Sequence, residues 1–294
     1  MSPIGGPLAS PAFLLHPPDD GAAGLPSPIR HPGRGSPHPP SSPPGELSDR
    51  DLDLLKTIAR FRIMSGAQLR EMFWPEGTAE TKARLARRTL ARLAKRDLLV
   101  ALPRRVGGVR AGSAGLTFAL GVQGHRLLKA PGRARPPHAP GQYHLQHTLA
   151  VADLYVSLVQ AARWGLTELL AFDTEPGCWR EYPGTYGAIE VLKPDAHVRL
   201  AGGEFEDSWF IELDMGTQAS ITVARKAERY VDCFRAGGLQ QTEGVFPRTL
   251  WIAPDASRAE IIEAALARVP EATDLFAVTT STEACAVLTA GAQP

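Results

Sequence analysis

One stretch, Lys193 to Lys226, constrains the fold more than any other. It predicts a strand, a tight turn, a second strand, a short loop and a helix. Pro194-Asp195 opens the first strand, in which Ala196, Val198 and Leu200 alternate with His197 and Arg199, and Gly202-Gly203 sit in the turn. The second strand is predicted from about Ser208 to Asp214. Side chains two apart on a strand share a face. Glu212 and Asp214 should therefore point one way, and Ile211 and Leu213 the other. Carboxylates ending an apolar run are costly to bury unless paired, protonated or metal-bound. Asp195 lies on the neighbouring strand, and such a cluster can hold a divalent cation through oxygen ligands. The plainer reading, a solvated exit turn at Asp214-Met215-Gly216-Thr217, stands beside it.

Charge divides the chain. From Glu46 to Ala130 there are 17 Lys/Arg against 8 Asp/Glu, and from Tyr143 onward 11 against 21. The basic half is the candidate polyanion binder. It opens with Ser48 as an N-cap before Asp49 and Asp51. A second helix is predicted at about Ser65 to Phe73, and a third at about Ala79 to Arg96, with Leu85, Leu90 and Leu93 inward. The other faces of the third helix carry Lys82, Arg84, Arg87, Arg88, Arg92, Lys95 and Arg96. Strands at Leu98–Leu102 and Leu116–Leu120 flank a loop containing Arg104, Arg105 and Arg110. Three helices and a hairpin with a basic tip form the winged-helix pattern. Its third helix enters the major groove and its hairpin grips phosphate or the minor groove. Double-stranded DNA is the expected partner, through Lys82, Arg84, Arg87, Arg88, Arg92, Arg104, Arg105 and Arg110. A solvated basic face and a protein-docking winged helix are the competing readings.

Residues 1–45 hold 13 of the 26 prolines and read as a disordered tail. Residues 46–130 are the expected winged-helix domain and 131–142 a linker. Residues 143–285 are a second, α/β domain with a mixed sheet, and 286–294 a tail. The whole is an α+β chain. Its predicted order after the linker is a long helix to about Trp164, three strands, a helix capped by Ser220, a strand, and a further helix–strand unit. Cys178 to Tyr186 reads as loop. His144 and His147 are three apart, which suits a polar helix start better than a metal pair. Three scattered cysteines without a Cys-x-x-Cys pair fit a reducing cytoplasm. No apolar run suggests a membrane span.

These features together resemble the replication-relaxation family of bacterial plasmid and mobile-element proteins. The resemblance rests on the Leu-rich opening helices, the basic third helix ending in Leu98-Leu99, and His147-Thr148-Leu149. It also rests on Lys193-Pro194-Asp195-Ala196, and on Glu212 to Thr217 followed by Lys226 and Tyr230. It implies a DNA-binding role in plasmid replication, mobilisation or transfer, with replication or transfer proteins as further partners. The second domain also resembles the PD-(D/E)xK nuclease fold. That implies Asp195, Glu212, Asp214 and Lys226 as site residues, with Asp195, Glu212 and Glu175 holding Mg²⁺ if the site is active. Asp214 stands where that pattern places a lysine, and Lys226 on the next helix is the candidate replacement. Three functions follow. One is a DNA-binding accessory protein with a nuclease-like domain that need not be active. The others are an active Mg²⁺-dependent endonuclease and a winged-helix transcription regulator.

Overall fold

A computed structural model describes residues 46–102, 116–129, 141–184, 187–202, 205–269 and 274–291. The expected Pro-rich tail, most of the expected linker, Gly203, and the loop with Arg104, Arg105 and Arg110 lie outside the described residues.

The first half begins with α1 (Asp49–Phe61), closed at its start by a capping box in which Ser48 and Asp51 bond reciprocally. A short strand β1 (Met64–Ser65) leads into α2 (Gly66–Phe73), which has the same device in Ser65 and Gln68. Residues 74–78 join it to α3 (Ala79–Lys95). Strands β2 (Leu99–Leu102) and β3 (Thr117–Leu120) pair antiparallel, giving a small sheet of order β1-β3-β2. Leu54, Leu55, Ile58, Leu69, Leu90, Leu93, Leu99 and Phe118 form the core between them. Ala86 joins Leu90 and Leu93 on the buried stripe of α3, whereas Leu85, expected inward, is 36% exposed. An unpredicted helix α4 (Val122–Leu128) follows β3. It lies so close to the end of α3 that a Cβ at Gly124 would stand 2.3 Å from the Leu98 carbonyl oxygen. Only glycine permits that approach.

The second half starts with α5 (Gln142–Arg163). Next come β4 (Glu168–Thr174), β5 (Arg180–Pro183), β6 (Ile189–Leu192), β7 (Ala196–Gly202) and β8 (Phe205–Leu213). Then follow α6 (Ser220–Ala236), α7 (Gly238–Glu243), β9 (Arg248–Ala253), α8 (Ala256–Leu266), β10 (Phe276–Thr280) and α9 (Ala284–Gly291). Five strands make one mixed sheet in the order β10-β9-β8-β7-β4, parallel from β8 to β10 and antiparallel from β8 to β4. β5 and β6 form a separate hairpin where a loop was expected. Ser220 does not cap α6, because the cap position is Ala219 and carries no side-chain bond. Helix α9 replaces the start of the expected tail, since Leu288 is fully buried.

Strand β8 explains how the site is placed. Trp209, Ile211 and Leu213 face a core shared with α5, while Phe210 faces one built from Val223, Ala227, Tyr230 and Ile262 of α6 and α8. Glu212 has the parity of Phe210 and so points at α6. Helix α5 also holds α2. Gln68 donates from Nε2 to the Leu149 carbonyl and to Asp153, each at 2.7 Å, and Arg163 donates to the Glu71 and Met72 carbonyls. The first-half helices and α5 thus bury one continuous core.

Candidate functional site

Asp195 sits just before β7, opposite the end of β8. Its backbone N–H donates to the Ile211 carbonyl at 2.9 Å, and its Oδ2 accepts from the Leu213 N–H at 2.7 Å. His147 of α5 brings Nε2 to 3.2 Å from the same oxygen. Glu212, 2% exposed, receives the Lys226 ammonium on Oε2 and the Tyr230 hydroxyl on Oε1. Lys226 and Tyr230 are four apart on α6 and therefore share a face. Asp195, Glu212 and Lys226 converge, and His147 and Tyr230 complete the group.

Asp214 does not join them. Arg258 of α8 grips it in a bidentate pair, Nε to Oδ1 at 2.9 Å and a terminal nitrogen to Oδ2 at 2.7 Å. The same guanidinium donates to the Gln218 carbonyl. Asp214 keeps the strand parity of Glu212, its N–H still bonding the Ile252 carbonyl at 3.0 Å, but it ties the β8–α6 turn to α8 rather than to α6. Glu175 lines the cleft that reaches Asp195, and its charge helps raise His147.

The charges balance in pairs. The hydrogen bond to Asp195 raises His147 above its ordinary value, against the opposing effect of burial. Burial works against an ionised Asp195, but the His147 bond and the Lys226 charge hold the carboxyl below its usual range. These two directions agree on an ion pair. For Glu212 and Lys226 they conflict. Burial pushes Glu212 up to about 7 despite the adjacent ammonium, which favours a neutral acid. Burial also works to lower Lys226, yet Glu212 and Asp195 outweigh it and raise it. The charged lysine is the firmer side of that conflict, because two carboxyl groups face it and its side chain keeps partial contact with solvent.

The nuclease resemblance implies a divalent cation, and the donors present do not fit one. Both Glu212 oxygens are engaged by Lys226 and Tyr230, and both Asp214 oxygens by Arg258. Oδ2 of Asp195 already serves the Leu213 N–H and His147. Among the described residues, no three His, Cys, Asp or Glu side chains are grouped so as to hold a metal ion.

On α3, Arg84, Arg87 and Arg88 are exposed and Lys82 is half-buried. Arg92 is committed elsewhere, bonding Asp51 of α1 at 2.6 Å, and Asp51 is 3% exposed. Arg92→Ala is therefore expected to lower stability, read as a shift in the denaturation midpoint, because it strands a buried carboxylate.

One family model, described as replication-relaxation, matches residues 55–249. The chain belongs to the replication-relaxation family. No curated protein and no solved structure matches it. The match takes in α3 and every residue of the Asp195–Glu212–Lys226 cluster, but ends before Arg258.

His147 is the residue that sequence reasoning undervalued in this family member, and Arg258 is one it missed. His147 stands in the His147-Thr148-Leu149 motif without a role and Arg258 in none, since each partner is an acid distant in the chain. The His147–Asp195 pair has a pH signature. A raised histidine stabilises fully below its ordinary 6.5, and that contribution is lost as pH rises through the folded value. A lowered carboxylate stabilises above its ordinary 3.8, and its contribution is lost as pH falls through the folded value. His147→Asn should therefore cost most between those limits, roughly 1–3 kcal/mol, and progressively less at alkaline pH. Denaturant titrations at pH 6 and pH 9 check this, and equal losses at both would remove the ion pair.

Proposed function

We propose that this is a DNA-binding protein of plasmid or mobile-element replication or mobilisation. In this reading α1 to β3 form a winged-helix module whose helix α3 engages double-stranded DNA. The second half is a nuclease-like fold whose acid site is closed by its own lysine and tyrosine. The carrying observation is the basic face of α3. Ala86, Leu90 and Leu93 are buried, and helical spacing places Arg84, Arg88 and Lys95 on the opposite side. No apolar contact requires three cations there, and a duplex backbone uses them by releasing its condensed counterions. Replication or transfer proteins are the proposed protein partners.

An active Mg²⁺-dependent endonuclease is the second reading, favoured by the convergence of Asp195, Glu212 and Lys226. Supercoiled-plasmid assays with Mg²⁺ or Mn²⁺ separate the two. The first reading expects retention on DNA without nicking, and no change on Asp195→Ala or Glu212→Ala. Nicking that both variants abolish while they stay folded and retained on DNA would establish the second. Binding itself should weaken roughly 10³-fold or more between about 50 and 200 mM salt if six or more phosphates are contacted.

A further inference from the structure

A cleft of about 50 Å³ opens between the end of α1 and the start of α5. It is far smaller than the roughly 300–1,000 Å³ pockets that enclose drug-sized ligands. It therefore admits a small group, or the tip of a larger molecule. Arg60 and Arg62 line it from α1 and the residue after it, His144 and His147 from α5, and Glu175 and Asp195 from the sheet side.

The charges in this cleft are not balanced. Asp195 is already matched by His147 and the Leu213 N–H. Among the described residues, neither Arg60 nor Arg62 forms an ion pair with a carboxylate, and exposed His144 has no hydrogen-bond partner. Glu175 is the one acid left to oppose them. Arg60 is fixed in place, its guanidinium lying 5.0 Å from the Tyr155 ring centroid and 5.7 Å from that of Phe172. The guanidinium also hydrogen-bonds the Tyr155 side chain, and as it carries five N–H donors, others remain for a ligand. Arg62 stands at φ 66°, a region non-glycine residues rarely occupy. The Thr174 hydroxyl bonds the Arg60 carbonyl, tying this turn to the end of β4.

We infer that this cleft binds a phosphate group. Two guanidinium groups and an imidazole around a narrow opening match a compact, multiply charged oxyanion, and forked donors suit phosphate better than chloride. The phosphate can belong to a nucleic-acid strand, at its 5′ end or within its backbone, or be free in solution. Recognition here needs nothing from α3, so the cleft and the α3 face can fail separately.

The test is calorimetric titration of the full chain with inorganic phosphate, against chloride at equal ionic strength. Wild type is expected to bind. Arg62→Ala and His144→Ala should each weaken binding about tenfold, as loss of one charge-assisted hydrogen bond does. Glu175→Gln should tighten it, which a purely structural role would not produce. Arg84→Ala/Arg88→Ala on α3 should leave it unchanged. Short single strands with a 5′-phosphate or a 5′-hydroxyl identify the source. Preference for the phosphorylated strand assigns a chain end, equal binding assigns internal phosphodiesters, and binding of inorganic phosphate alone assigns the free ion. Absence of phosphate binding above chloride, or wild-type affinity in both Arg62→Ala and His144→Ala, overturns the inference.

Discussion

Lys226→Ala is expected to cost about 3–5 kcal/mol of folding stability, the usual penalty for leaving half of a buried ion pair behind. Glu212 would keep the Tyr230 hydroxyl but lose the Lys226 cation, in a core otherwise made of Phe210, Val223, Ala227 and Trp251. The carboxyl would then protonate or drag water into that core, and both are unfavourable at neutral pH. The double variant Lys226→Met/Glu212→Gln should recover most of the loss. A methionine fills the lysine stem's volume, and a neutral amide still accepts from Tyr230. Chemical denaturation reads the result as a midpoint shift with unchanged slope. If Lys226→Ala is as stable as wild type, the ammonium faces solvent and the closed-site reading fails with it. The same experiment bears on function, since a Glu212 that depends on Lys226 is a carboxylate already matched by a cation of its own chain.

Much of this was legible in the sequence because it is local. The alternation through Ala196, Val198 and Leu200 marks β7, the Ser48 cap marks α1, and the Leu90 and Leu93 stripe orients α3. Strand parity alone placed Glu212 on the face that α6 covers. Parity could not show what Asp214 would meet on that face, because its partner Arg258 comes from α8, far along the chain. β5 and β6 escaped because Pro183, Gly184 and Gly187 break the pattern and half the hairpin's residues are exposed, so no alternation betrays them. Helix α4 escaped because two of its neighbouring positions are Gly121 and Gly124, which read as breakers although they serve close packing. The grip of α5 on α2 was beyond any local pattern. Gln68 and its acceptors, Leu149 and Asp153, meet only once the chain has folded.

The second large effect should come from α3. Arg84→Ala/Arg88→Ala is expected to weaken duplex binding by roughly one to two orders of magnitude at moderate salt. It should also reduce the slope of log affinity against log salt by about 2, one for each phosphate contact removed. Stability should stay within about 0.5 kcal/mol of wild type, since neither arginine touches the core. Arg92→Ala is the contrasting control, because its guanidinium is spent on Asp51 and its loss should appear in folding before it appears in binding. A slope change without a stability change places Arg84 and Arg88 at the backbone. An unchanged slope in the double variant would leave α3 as an ordinary solvated face. The fixed hold of α5 on α2 sharpens the distinction. With Gln68 and Arg163 bonding α2 near both its ends, the two arginines cannot be replaced by a swing of the helix pair. Any affinity that survives must come from other cations on the chain.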